Sequence, residues 1–149
     1  METHPNVYQE KTFKKNLAYT HSMDAHEDSE RKQEFIHSAT FLPLRSWRYM
    51  IPFQLMTSKV LKQAKQSNGM VDYAVKADFS RKYFWTLSIW KDRDSMKTFV
   101  MAEPHATSVK KFSEWAGDGS AFVEWTSSSG SIDWIEAMKK TSKSDFLLQ

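Results

Sequence analysis

From Val71 to Ala77 the chain alternates. Val71, Tyr73, Val75 and Ala77 are interleaved with Asp72, Lys76 and, beyond them, Asp78, and a two-residue period predicts a half-buried strand. Ser80-Arg81-Lys82 makes a polar turn, and the run from Tyr83 to Trp90 follows as an aromatic strand expected to pair with the first as a hairpin. Upstream, Phe35 to Leu44 reads as a strand, with Pro43 marking a bulge, an edge or its end. After Arg45–Tyr49 the period lengthens. Phe53, Met56, Val60, Leu61 and Ala64 fall on one helical face, with Lys59, Lys62, Gln63, Lys65 and Gln66 on the other. Pro52 suits the first turn of that helix and Asn68-Gly69 its end.

Downstream of Trp90, Asp92 or Asp94 is placed to cap a helix with Met96, Phe99 and Val100 as its apolar stripe. Pro104 breaks it and restarts a second helical piece, where His105, Val109, Phe112 and Ala116 share a face. Gly117-Asp118-Gly119 stops that piece. Ala121–Thr126 reads as the last strand, and Asp133 with Glu136 three residues on resembles a capping box for a short helix carrying Trp134, Ala137 and Met138. Residues 1–33 are polar and aperiodic and are expected to form a mobile arm, of which Tyr8–Tyr19 is a candidate docking piece; residues 34–140 form the domain, and residues 141–149 a fraying tail. The order β-α-β-β-α-β predicts an α+β, ferredoxin-like fold with one four-stranded antiparallel sheet.

The aromatic strand has two unequal faces. Trp85, Leu87 and Ile89 make a uniformly apolar one, expected to lie beneath the helices. Phe84, Thr86, Ser88 and Trp90 make a mixed one, expected to be left open in a monomer and closed by a second copy, so that the chain forms a homodimer through its sheet face.

Composition removes several functions. The 149 residues suit one domain, and none is Cys, which excludes disulfides, thiolate metal sites and cysteine nucleophiles. A net charge of +3 from 21 basic and 18 acidic residues, scattered along the chain, gives no basic stripe of the kind that binds nucleic acid. No run is long and apolar enough to span a bilayer. No apolar leader follows Met1, so a cytoplasmic protein is expected. Glycine occurs only at 69, 117, 119 and 130, which leaves no phosphate-cradling loop. The histidines of the arm, His4, His21 and His26, match no metal-ligand spacing.

Several segments together resemble a known group. They are Phe84-Trp85-Thr86-Leu87-Ser88-Ile89-Trp90-Lys91-Asp92, then Met96, Phe99, Pro104-His105 and Trp115, then Phe122-Val123 and Trp125, and finally Asp133-Trp134 with Glu136-Ala137. Over about residues 35–140 the chain resembles the antibiotic-biosynthesis-monooxygenase-like proteins. Leu44-Arg45-Ser46-Trp47-Arg48 and Ala77-Asp78 are similar to uncharacterised bacterial members, including those of the spheroidene-monooxygenase type. The resemblance implies a dimeric α/β barrel. It also implies a monooxygenase-like activity on a hydrophobic aromatic or isoprenoid molecule, cofactor-free or haem-assisted; the alternative is a non-catalytic dimer that binds such a molecule. Haem-degrading members end their third strand on a Trp, the place of Trp90. Their haem-ligating His falls at Val109 here, with His105 one turn earlier, a departure from that type.

His105 is the candidate catalytic residue. Three readings stand: a structural ring near a helix start, a general base or acid with an ordinary pKa near 6.5, and an axial haem ligand, a role for which His37 is the other candidate. Beyond that last possibility no metal site is expected, and haem or no cofactor at all are the two options. Trp90, Trp85 and Phe112 are candidate walls for a flat apolar ligand, with Ser88 and Thr86 as its candidate polar contacts. Arg45 and Arg48 are candidates for an anionic group on it. The competing reading makes the indoles core and interface, and pairs the arginines with carboxylates such as Asp78 and Glu124.

Overall fold

The computed structural model describes residues 32–143. The arm's Tyr8–Tyr19 piece, its three histidines and residues 144–149 lie outside the described residues. Four strands form one antiparallel sheet: β1 (Phe35–Pro43), β2 (Met70–Asp78), β3 (Tyr83–Trp90) and β4 (Ala121–Ser127), in the spatial order β2-β3-β1-β4. The helices are α1 (Met50–Gln66, entered through a 3-10 turn at Trp47–Tyr49), α2 (Arg93–Met101), α3 (His105–Trp115) and α4 (Trp134–Lys143). This is the ferredoxin-like arrangement: β3 and β1 fill the centre, and each crossover brings the chain back over the sheet.

The local chemistry sets the boundaries. Pro43, which cannot donate to a ladder, is the last residue of β1. Asp92 accepts the Ser95 N–H at 2.7 Å and so starts α2. Gly69 turns the chain after α1 with a φ of +78°, where a Cβ would stand 2.3 Å from the Ser95 hydroxyl oxygen. Both the backbone angle and the neighbour demand glycine there. Asp133 accepts the Glu136 N–H at 3.0 Å. The helix it starts runs on to Lys143, past the expected fraying point, because Thr141 is buried and its hydroxyl donates to the Ala137 and Met138 carbonyls.

The faces of β3 are the reverse of expectation. Phe84, Thr86, Ser88 and Trp90 lie under α1, α2 and α3. Phe84 joins Leu42, Leu44, Tyr49 and Trp115 in one cluster, and Trp90 joins Ile36, Ala64, Met96 and Phe99 in another. The uniformly apolar face is covered in part by α4 instead, where Leu87 and Ala39 pack on Ala137. Helices lie on both sides, so the apolar run has no privileged side. Two large rings six residues apart, Phe84 and Trp90, seat the helical layer, while the small hydroxyl residues between them sit where the layer stands off the sheet.

Candidate functional site

That stand-off produces the one unusual surface on the helical side. β3 is an internal strand, yet Thr86 is solvent-exposed, as is its neighbour Val75 on β2, 48% exposed. A cleft of about 140 Å³ lies here. Phe53, Gln54 and Thr57 of α1 form one wall, and Val75, Phe84 and Thr86 the other. Phe53 and Phe84 meet at 4.6 Å between ring centroids, and Phe79 stands edge-on to Phe84 at 5.7 Å, 58% exposed. Apolar rings with two hydroxyls and an amide are the composition of a small-ligand site. A larger and more open groove, about 900 Å³, runs between α1 and α2, with Lys59, Lys62 and Gln66 on one side and Asp94, Thr98 and Glu103 on the other.

His105 opens α3. Its backbone N–H donates to Gln63 Oε1 at 2.9 Å, and Gln63 Nε2 donates to the Phe99 and Ala102 carbonyls at 3.0 and 3.3 Å, so one amide of α1 holds the α2–α3 junction. The His105 Nδ1 lies 3.2 Å from the Val100 carbonyl and donates to it. Burial pushes its pKa below the ordinary 6.5, a shift the Val100 bond partly opposes. The ring is therefore neutral at neutral pH. Its Nε2 has no hydrogen-bond partner among the described residues.

Phe99 joins this ring to Trp90. Its centroid is 4.6 Å from His105 and 5.0 Å from Trp90. Trp90 is fully buried, and its indole N–H donates to Ser88 Oγ at 3.0 Å. The space expected to hold a ligand between His105 and Trp90 is thus occupied by a phenyl ring. Of the residues singled out from sequence, the structure brings Trp90, Ser88 and His105 together through Phe99. Phe112 packs in the other cluster, beside Trp115 and Phe84. Trp85 stands on the opposite face of the sheet, stacked on Phe41 at 5.0 Å. Arg45 donates to the Ala116 and Ser113 carbonyls at the end of α3, and Arg48 donates to the Tyr49 hydroxyl and lies over its ring, so both guanidiniums are engaged locally. The carboxylates proposed as their partners are elsewhere: Asp78 pairs with Arg81, and Glu124 with Arg93 at 2.5 Å.

These residues do not fit a haem. One side of the His105 ring is closed by Phe99, its Nδ1 is committed to Val100, and it lines neither the cleft nor the larger groove, while His37 is buried with its Nε2 donating to the Ser129 carbonyl at 2.7 Å. Among the described residues no group of three or more His, Asp and Glu is arranged to hold a metal ion. The cleft residues Phe53, Gln54, Thr57, Val75 and Phe79 were not among the sequence candidates. The available signal was Thr86: a polar residue in the middle of an aromatic strand, flanked on its face by Phe84 and Ser88.

Neither a protein-family model nor a curated sequence matches the chain. Solved structures do. A conserved protein from Methanosarcina mazei Go1 superimposes with a TM-score of 0.55 at 14% identity, over 63% of this chain and 93% of that one. An antibiotic biosynthesis monooxygenase gives 0.54 at 11%, over 60% and 95%. SnoaB, a cofactor-independent oxygenase from Streptomyces nogalater, gives 0.50 at 10%, over 64% and 93%. The fold is that of the antibiotic-biosynthesis-monooxygenase group. At these identities the likeness is one of fold.

Proposed function

We propose that this chain binds a small, flat apolar molecule in the cleft between α1 and the β2–β3 hairpin. The observation that carries the reading is the exposure of Thr86 in an internal strand beneath a helical layer, walled by Phe53 and Phe84. A cavity of about 150 Å³ lined by apolar side chains accepts a benzene-sized guest, so the volume here suits one aromatic ring or an isoprenoid end, with Thr57, Thr86 and Gln54 in reach of a hydroxyl or carbonyl on it. The test is binding of a panel of single-ring phenols and short isoprenols, followed by calorimetry, to the natural chain and to Thr86→Trp, which fills the cleft. Loss of binding in the variant supports the site. Undiminished binding places the ligand elsewhere and ends this reading.

A second reading has its own observation. A neutral imidazole with Nδ1 anchored and Nε2 unpartnered is what a general base requires, and the fold is shared with a cofactor-independent oxygenase. In such a reaction His105 would take a proton from an activated methylene, dioxygen would be the oxidant, and the products would be a carbonyl and water. Oxygen consumption with a phenolic substrate, abolished in His105→Ala while binding persists, is the outcome this reading requires. The assembly we propose is a homodimer that buries the sheet face carrying Phe41, Tyr83 and Trp85.

A further inference from the structure

The outward side of α1 has an unusual composition. Trp47, Ile51 and Leu55 recur at four-residue intervals, so they form one stripe, and they are 57%, 69% and 62% exposed. Continuing along the helix, Lys59 and Lys62 are exposed as well, and Arg48 is exposed beside Trp47. Residues 35–71 contain five basic residues, Arg45, Arg48, Lys59, Lys62 and Lys65, and no acidic one. Lys82 adds a sixth cation, its Nζ 5.1 Å from the Trp47 ring. Asp94 and Glu103 stand across the larger groove from Lys59 and Lys62, yet neither forms an ion pair with them among the described residues.

We infer that this face of α1 docks on the surface of an anionic lipid bilayer. A helix lying in that interface carries Trp and aliphatic side chains toward the acyl boundary and Lys or Arg toward the headgroups. Trp47, Ile51 and Leu55 supply the first set, and Lys59, Lys62 and Lys82 the second. A nucleic acid offers phosphates to the cations but nothing to two aliphatic side chains in the middle of the stripe. The order along the stripe, an indole at one end, aliphatic side chains in the middle and cations flanking them, is the one a bilayer interface favours, with the indole at headgroup level. The helix does not span. It is 17 residues long, polar side chains recur from Gln54 onward, and no helix of the described residues is long and apolar enough to cross a membrane. The inference is independent of what the cleft binds, because none of the residues it rests on lines the cleft.

The experiment is flotation of the full chain with vesicles of phosphatidylcholine alone and of phosphatidylcholine with about 30% phosphatidylglycerol. Binding is expected to the second and not the first, and to weaken as NaCl rises from about 0.1 to 0.5 M. Lys59→Gln with Lys62→Gln is expected to weaken it about thirtyfold, at about one kcal/mol per lysine near the surface. Ile51→Ser with Leu55→Ser is expected to weaken it by at least about tenfold. These side chains are exposed, so circular dichroism and melting temperature should be unchanged in both variants. As a second measurement, brominated lipid should quench the natural chain more than Trp47→Phe. No binding to either vesicle, or binding that neither pair of substitutions alters, overturns the inference. So does concentration-dependent self-association that Ile51→Ser with Leu55→Ser abolishes, which would assign the stripe to a protein interface.

Discussion

At the scale of single residues, Phe99 decides what the His105 region is. The phenyl ring touches both the imidazole and the Trp90 indole, so the three rings make a wall, not a chamber. Phe99→Ala should therefore destabilise the fold by about 3–5 kcal/mol, as loss of a buried ring does, measured by urea denaturation. Addition of an indole-sized or benzene-sized compound should recover part of the loss by filling the void. His105 itself should leave a mark on stability against pH. Its folded pKa is lowered, so the unfolded chain binds the proton more readily. The contribution is intact above the unfolded value of about 6.5 and is lost as pH falls from there through the folded value. Denaturation midpoints between about pH 7.5 and 5 should fall for the natural chain and fall less for His105→Gln. Equal slopes would show that the ring titrates as an ordinary exposed one. The sequence showed that His105 sat on an apolar helix face, but not what it met there. That depended on the rotation of α2 about its axis, which its stripe of Met96, Phe99 and Val100 leaves free by a residue or so.

At the scale of elements, the punctuation was legible and the facing was not. Pro43, Asp92, Pro104, Gly117 and Asp133 each stand where a strand or helix begins or ends, because a missing N–H, a cap or a flexible residue acts within a few residues of itself. The strand order followed from the element order. The side of the sheet that meets α1–α3 did not follow, because period-two alternation names two faces without saying which one a distant helix will cover, and α4 takes the more uniformly apolar of them. The cleft is a consequence of that choice: with Thr86 and Ser88 beneath the helices the roof cannot close, and Thr86 stays wet. Between elements, Gln63 carries an unusual share. One side chain satisfies the Phe99 and Ala102 carbonyls at the end of α2 and the first N–H of α3. Gln63→Leu keeps the size and removes all three bonds, and should cost about 1–3 kcal/mol in thermal or urea unfolding. Its larger effect should be faster amide exchange confined to residues 99–108, since those groups lose their hydrogen bonds to the Gln63 side chain of α1. Uniform exchange along the chain would place the anchor elsewhere.

At the scale of the whole molecule, the sheet has one helical side and one half-finished side. α4 covers the part of the outer face over Ala39 and Leu87 and leaves the far part to three rings. Phe41 and Trp85 stack at 5.0 Å, and Tyr83 stands edge-on to both at 5.3 and 6.1 Å. Each of the three is only partly buried in the single chain. Stacked aromatics side by side on a flat sheet present a contiguous apolar surface, and a two-fold partner placing the same rings against it buries both at once. The expected state of the natural chain at micromolar concentration is a dimer. Trp85→Lys sets two like charges near the axis of that contact and removes its largest ring, so sedimentation velocity should show a monomer. Because the Trp85 ring is only partly buried and stands on the face away from α1, the variant should keep its secondary structure. A natural chain that sediments as a monomer would mean that these rings are stable half-covered. A Trp85→Lys variant that remains dimeric would move the interface off these three rings.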